Sequence, residues 1–308
     1  MITVINPIDK EPIKAELTKG RFVRESNKGN NQIYILNHFN SPNVMQEIAR
    51  LREITFRLAG GGTGKEIDID EFDTCETPYE QLIVWDPREE EIIGGYRYIR
   101  CADAKKDESG IPHLSTTEIL HFSQTFINKY LPYTIELGRS FVQPKYQPSN
   151  ENRKGLFSLD NLWDGLGALI IDNPDVNYFT GKVTMYPNYN IAARDLILTF
   201  MHYYFPDNEN LVTPIKPLKL VGDKEKMEAL FKGLDYKEGH KVLHQEVKAL
   251  GENIPPLINS YMSLSATMKT FGTAINEHFG DVEETGIIVT IADIFPSKKE
   301  RHVNTYKK

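Results

Sequence analysis

The chain has 308 residues, 40% hydrophobic and 26% charged, with 36 Lys and Arg against 43 Asp and Glu for a formal charge of −7. That length and balance fit a globular chain able to bury a core without metals or disulfides. The acidic sign and the lack of a basic stripe argue against nucleic acid as a partner, since phosphate contacts need Lys and Arg.

Residues 1–30 are charged and irregular and are read as an N-terminal arm that packs on the body or frays. Gln32 to Leu36 is a short strand. Ser41-Pro42 opens a helix, with Ser41 as N-cap and Pro42 in the first turn. Val44, Ile48, Leu51, Thr55 and Leu58 follow at helical spacing as its buried stripe, and Gly60-Gly61-Gly62 ends it. Strands over Glu80–Trp85 and Glu91–Ile99 flank the hairpin punctuation Asp86-Pro87-Arg88-Glu89. A helix is expected over Glu118–Tyr130, then a strand over Tyr133–Leu137 that ends at Gly138. A polar loop over 147–155 precedes a helix over Ser158–Ile171, a strand over Asn177–Met185 and a helix over Ile191–Tyr204. Helices between proline-marked loops occupy 206–250, Pro255-Pro256 opens another, and Gly286–Ile291 is a late strand. The alternation predicts an α/β (α+β) fold, a mixed twisted sheet with helices on both faces. Residues 31–308 are taken as one domain, with 206–308 as its C-terminal elaboration.

The two cysteines, Cys75 and Cys101, form neither a disulfide framework nor a CxxC pair, which points to a reducing cytoplasm. No basic n-region leads into an apolar core at the N-terminus, and no window approaches the ~18 apolar residues of a membrane span. Membrane contact is therefore expected only at the periphery, on the inner face. The basic end, Ser297 to Lys308, is read as a solvated tail, with an anionic surface or an acidic protein as its alternative partners.

Glu136-Leu137-Gly138-Arg139 closes a strand. Glycine there favours a β-bulge, which would free backbone N–H groups to hold a thioester carbonyl and its oxyanion. Glu136 would take a proton from an attacking amine; a buried Glu–Arg pair that only orients the strand is the alternative. Val142 then leads through Arg153, Lys154 and Gly155 into a helix N-terminus, an arrangement that binds phosphate. Asp70 and Asp73 would bind a cation, or would anchor their loop by pairing with Arg52 or Arg97. The run Ala59 to Glu66 fails as a Walker A loop because Ala59 and Glu66 occupy its first glycine and its Ser/Thr positions; it is read as a mobile loop. His240 and His244 lack a third ligand, so no metal site is expected. No Gly-x-Ser-x-Gly elbow marks a serine hydrolase.

Four of these motifs fall in one order: Arg52 with Phe56, Asp70-Glu71-Phe72-Asp73, Gly94-Gly95-Tyr96-Arg97, and Glu136-Leu137-Gly138-Arg139. Their order and spacing resemble the N-acyltransferases of the GNAT superfamily, in the acyl-carrier-protein-dependent branch of ornithine- and glycine-lipid synthesis. That branch is related to the acyl-homoserine-lactone synthases and is often labelled hemolysin-like. Phe179 to Met185 and the stretch from Ile254 to Tyr261 are similar to later parts of the same branch.

The resemblance implies a GNAT-like sheet and amide formation. A 3-hydroxy fatty acyl group would pass from acyl carrier protein to the α-amine of glycine or ornithine. It implies Glu136 as base or water-orienting residue, and Phe141 and Val142 backbone groups on the thioester and pantetheine. Arg153, Lys154 and Gly155 would hold the phosphate, and Arg97 and Arg139 the amino-acid carboxylate. Arg52, Phe56, Asp70 and Asp73 would form a structural or substrate cluster. No tightly bound cofactor or metal is implied; the donor is the acyl-phosphopantetheine of acyl carrier protein, or acyl-CoA. The alternatives are an acetyl-CoA-dependent N-acetyltransferase of a small amine, a membrane-active hemolysin, and a GNAT fold that binds an acyl carrier without turnover.

Overall fold

The structure is a computed structural model that describes residues 2–147, 155 and 157–307. In chain order its helices are α1 (Lys10–Glu16), α2 (Pro42–Ala59), α3 (Glu71–Thr74), α4 (Ser158–Asp172), α5 (Ile191–Tyr204), α6 (Lys224–Ala229), α7 (Tyr236–Ala249), α8 (Pro256–Met262) and α9 (Pro296–His302). Its strands are β1 (Phe22–Glu25), β2 (Gln32–Leu36), β3 (Glu80–Asp86), β4 (Glu91–Arg100), β5 (Leu120–Phe122), β6 (Thr134–Val142), β7 (Tyr178–Met185), β8 (Val212–Pro214), β9 (Lys269–Asn276) and β10 (Val282–Thr290). The expected α/β class holds. The chain divides into two compact units, one of residues 1–115, 131–177 and 296–308, the other of 116–130 and 178–295.

In the first unit the strands run in the order β1-β2-β3-β4-β6, each pair antiparallel. The hairpin of β3 and β4 forms around Asp86, whose carboxylate accepts the backbone N–H groups of Arg88 and Glu89. Helices cover both faces. On one, Leu82 of β3 meets Gly165 of α4. Gln81, next along β3 and so on the opposite face, donates to Asp73, which pairs with Arg52 of α2.

Three expectations change here. Ser41 does not cap α2: its hydroxyl donates to Asn40 instead. Glu16, from the end of α1, reaches the helix N-terminus and accepts from Asn43 N at 3.1 Å and Val44 N at 2.8 Å. A longer side chain from a remote segment thus satisfies the orphan donors that the local serine leaves. Leu58 lies outside the buried stripe at 71% exposure, while Phe56 is buried at 6%. The basic tail is folded: α9 packs on α4, with His302 Nδ1 2.8 Å from Asp164 and Arg301 paired with Asp160. Tyr306 donates to Asp172 under the guanidinium of Arg24. The N-terminal segment contributes α1 and the edge strand β1, and Ile2 and Ile8 donate backbone N–H groups to Gly64 and Glu47.

In the second unit β7, β10 and β9 form an antiparallel ribbon, with eight consecutive pairs between β7 and β10. The helix expected over 118–130 is broken. Leu120–Phe122 pairs as β5 with β8, and a π-helical turn begins at Phe126, whose N–H is taken by the Ser123 hydroxyl. A partner strand some ninety residues later captured the backbone. Asn190 caps α5 through Ala192 and Ala193. Phe200 of that helix packs with Phe231, Tyr204 and Tyr236. Among the described residues, no helix is long and apolar enough to cross a membrane.

Candidate active site

The ladder between β4 and β6 carries a defect that shapes the site. Gly95 faces Phe141 and Arg97 faces Gly138, so Tyr96 alone opposes both Arg139 and Ser140. This is a β-bulge on β6. The bulge lies one step beyond the glycine that suggested it. Gly138 stays in register, and Arg139 takes the left-handed conformation at φ 48°, which costs a non-glycine residue about 1–2 kcal/mol. Its side chain offsets that cost through ion pairs to Asp68 at 3.0 Å and Asp70 at 3.4 Å. Beyond the bulge the strands run close, since a Cβ on Gly94 would lie 2.3 Å from the Phe141 carbonyl oxygen. Gln143 donates its N–H to Ile93 at 2.9 Å. By the alternation of an antiparallel ladder, Val142 then turns its N–H away from β4, and Phe141 turns its own toward it.

Beside the bulge, midway along this ladder, three guanidiniums meet three carboxylates. Arg52 donates through Nε to Asp68 at 2.8 Å and through Nη2 to Asp73 at 3.0 Å. Arg97 donates through Nη1 to both oxygens of Asp70 at 2.7 Å and contacts Asp73 at 3.4 Å. Arg139 completes the set. Arg52, Asp68 and Asp73 are fully buried. Burial by itself would raise the pKa of Asp68, but Arg139 and then Arg52 outweigh it and hold the carboxyl below its ordinary value. Asp70 is likewise depressed, with Arg97 and Arg139 overcoming desolvation. Arg52 and Arg97 are raised, because the aspartates overcome burial. Asp70 and Asp73 also form a capping box on α3. Sequence reasoning missed Asp68, which stands two residues before Asp70.

Glu136 has a different environment. It is fully buried. Its Oε1 accepts from the Tyr79 hydroxyl at 2.9 Å and from the Ser115 hydroxyl at 2.7 Å. The Ser115 N–H donates in turn to the Tyr79 oxygen at 3.0 Å. Tyr79 lies under the Arg97 guanidinium, 5.1 Å from its ring centroid. Burial and the nearby Glu136 push the Tyr79 hydroxyl well above its usual pKa, so it stays a proton donor. Cys101, also buried, is pushed up by desolvation first and Glu136 second. Neither Tyr79 nor Ser115 belongs to the sequence motifs, and nothing local in the sequence ties either to Glu136.

Arg52, Asp70, Asp73, Arg97 and Arg139 are therefore brought together. Phe56 lies one turn beyond Arg52 in the core. Gly155 is pressed against the chain, and a Cβ there would lie 2.1 Å from the Tyr146 carbonyl oxygen. Arg153 and Lys154 lie outside the described residues. The glycine-rich loop is tied down: Glu53, fully buried, accepts from the Thr63 N–H and hydroxyl and from the Gly64 N–H. His240 is hydrogen-bonded to Asn259 at 2.8 Å.

The family described as "Acetyltransferase (GNAT) domain" matches residues 51–153, the span from the start of the ionic cluster past the bulge. The chain is 57% identical over 306 residues to a glycine N(alpha)-acyltransferase of Bacteroides thetaiotaomicron, covering 99% of this chain and 91% of the relative. It is 54% identical over 308 residues to a protein of the same name from Phocaeicola vulgatus, covering 100% and 94%. A crystal structure of the AHL synthase LasI aligns with 50% of this chain and 72% of its own at 11% identity and a TM-score of 0.32, a likeness too low to carry a conclusion. The near-complete coverage by two relatives and the matched domain over the ionic cluster and Glu136 together show that the chain belongs to their family, the acyltransferases built on a GNAT domain.

Proposed function

We propose that the protein joins a fatty acyl group, delivered as a thioester on acyl carrier protein, to the amine of glycine, in the synthesis of an aminolipid. The observation that carries this reading is the identity of 57% and 54%, over essentially the whole chain, to proteins whose names give glycine as the acceptor. Ornithine lacks such support. The donor rests on the resemblance of the four motifs and on the loop before α4, which between Val142 and Gly155 carries one glycine, Gly155 itself. A pantetheine arm brings a single phosphate to such a loop, where coenzyme A brings several.

The chemistry follows from the ladder. The glycine nitrogen attacks the thioester carbonyl carbon, the C–N bond forms and the C–S bond breaks. The proton shed by nitrogen passes to Glu136 and then to the leaving thiolate. The Val142 N–H, turned away from β4, suits the thioester carbonyl as its oxygen gains charge. Phe141 would shape that stretch through its place in the ladder. Arg139, 14% exposed against 2% for Arg97, is the better placed of the two to meet the glycine carboxylate. The N-terminus of α4, reached through Arg153, Lys154 and Gly155, would take the phosphate.

The test is purified protein with 3-hydroxyacyl carrier protein or acyl-CoA as donor and glycine or ornithine as acceptor, read by mass spectrometry. N-acylglycine from the carrier protein alone is the expected product. N-acylornithine overturns the acceptor, and turnover restricted to acyl-CoA overturns the donor. Acetylglycine from acetyl-CoA would support the acetyltransferase reading.

A further inference from the structure

We infer that Gly138 is a specificity-determining residue: its missing side chain keeps open the place where the acceptor amino acid lies, between Glu136 and the guanidinium of Arg97. The inference deepens the proposed function and rests on its reading of a small amino acid as acceptor. Gly138 stands directly opposite Arg97 in the β4–β6 ladder. Glu136 lies two positions earlier, before the bulge, and so shares its face. A Cβ on Gly138 would lie 3.6 Å from Arg97 Nε, 3.7 Å from Arg97 Cγ and 3.9 Å from Ser115 Oγ. Gly138 is half-buried, whereas Glu136 and Arg97 are buried.

Neither backbone conformation nor packing calls for glycine here. Gly138 does not take the positive φ that favours glycine, and its Cβ would make only ordinary van der Waals contacts. The glycines on the facing strand differ: a Cβ on Gly94 would lie 2.3 Å from the Phe141 carbonyl oxygen, and one on Gly95 2.7 Å from that of Leu82. Glycine inside a strand costs stability, and one that the fold does not require marks a close approach by a ligand. A second observation points to the same spot. Arg97 uses Nη1 for Asp70 and Asp73, but its buried Nε has no hydrogen-bond partner among the described residues. A buried donor without an acceptor is costly, and a carboxylate oxygen of the acceptor lying over the Gly138 α-carbon would supply one. Arg139, one position on, adds a second cation for the same carboxylate. The acceptor then lies along the strand, its amine toward Glu136, its carboxylate toward the arginines and its own α-carbon over Gly138.

The experiment compares Gly138→Ala with the unmodified protein, using the carrier-protein donor and varied glycine. The added methyl meets its neighbours at ordinary contact distance, so the urea unfolding midpoint should hold or rise. KM for glycine should rise about tenfold or more, the scale of one methylene in a fitted site, while KM for the acyl donor stays unchanged. An unchanged glycine KM overturns the inference, and so does an equal rise in both, which would make Gly138 part of the donor's path. The second readout is equilibrium binding of isotope-labelled glycine, followed by NMR without donor, which should weaken by the same factor. If the unmodified protein acylates ornithine instead, the proposed acceptor falls and the KM comparison on ornithine decides the role of Gly138. If it binds glycine and transfers nothing, the proposed reaction fails, while weaker binding to Gly138→Ala still upholds the inference. If it binds neither amino acid, the inference is overturned. Should Gly138→Ala unfold, the unmodified protein decides: kcat/KM for alanine should lie about tenfold or more below that for glycine, and equal use of the two overturns the inference.

Discussion

Asp68, Asp70 and Asp73 gather at the bulge of the β4–β6 ladder and Glu136 lies a short way along it, and they are held in different ways. Each aspartate faces guanidinium groups at 2.7–3.4 Å. Glu136 is held by the hydroxyls of Tyr79 and Ser115. A carboxylate opposed by a permanent cation in a dry interior gives up its charge only at great cost, so it serves as a fixed strut. The ionic cluster accordingly holds α2, α3 and the bulge of β6 together, and the proposed proton transfer falls to Glu136.

The largest effect expected from this contrast is on stability. Arg52→Ala removes the cation shared by two buried aspartates and should cost about 3–5 kcal/mol, read from the urea unfolding midpoint. A loss under about 1 kcal/mol would mean that the cluster is not the strut. Glu136→Gln should do the reverse: a fall in kcat of about 10²–10⁴-fold, with the midpoint nearly unchanged, because the amide oxygen still accepts from Tyr79 and Ser115. If Glu136→Gln unfolds the protein instead, the two regions are alike after all.

A third prediction uses pH. The folded pKa values of Asp68 and Asp70 are depressed below the unfolded value of about 4. Their stabilisation is therefore fully present above that pH and is lost as pH falls through the folded values. Unfolding midpoints at pH 7, 4 and 3 should fall along that series. The fall should be shallower in Arg52→Ala, where part of the pairing is already gone; equal slopes would detach the acid sensitivity from the cluster. The smallest effect concerns a third kind of carboxylate, one facing backbone N–H groups. Glu16→Ala should cost about 1 kcal/mol as a lost helix cap, whereas Ser41→Ala should stay within about 0.5 kcal/mol. The reverse order would reassign the cap of α2.

Much of this was legible in the chain where a signal is local. Pro42 and Gly60 mark the ends of α2, Asp86-Pro87 marks the hairpin of β3 and β4, and the helices expected over Ser158–Ile171 and Ile191–Tyr204 form as α4 and α5. What escaped depends on distant partners. Leu120–Phe122 lies within the expected helix over Glu118–Tyr130 yet pairs with Val212–Pro214. The tail looks solvated, but His302 and Tyr306 find Asp164 and Asp172.

Within the candidate site, the sequence by itself determined which chemical groups were present and in what order, because turns, strand glycines and paired acids and bases are written locally. Only the tertiary structure decided their partners. Asp68 joins the cluster, the bulge moves from Gly138 to Arg139, and Tyr79 and Ser115 close on Glu136. Side chains separated by 57 and 21 positions along the chain meet only when strands pair, and the environment that sets the charge of a buried carboxylate exists only once that pairing has excluded water.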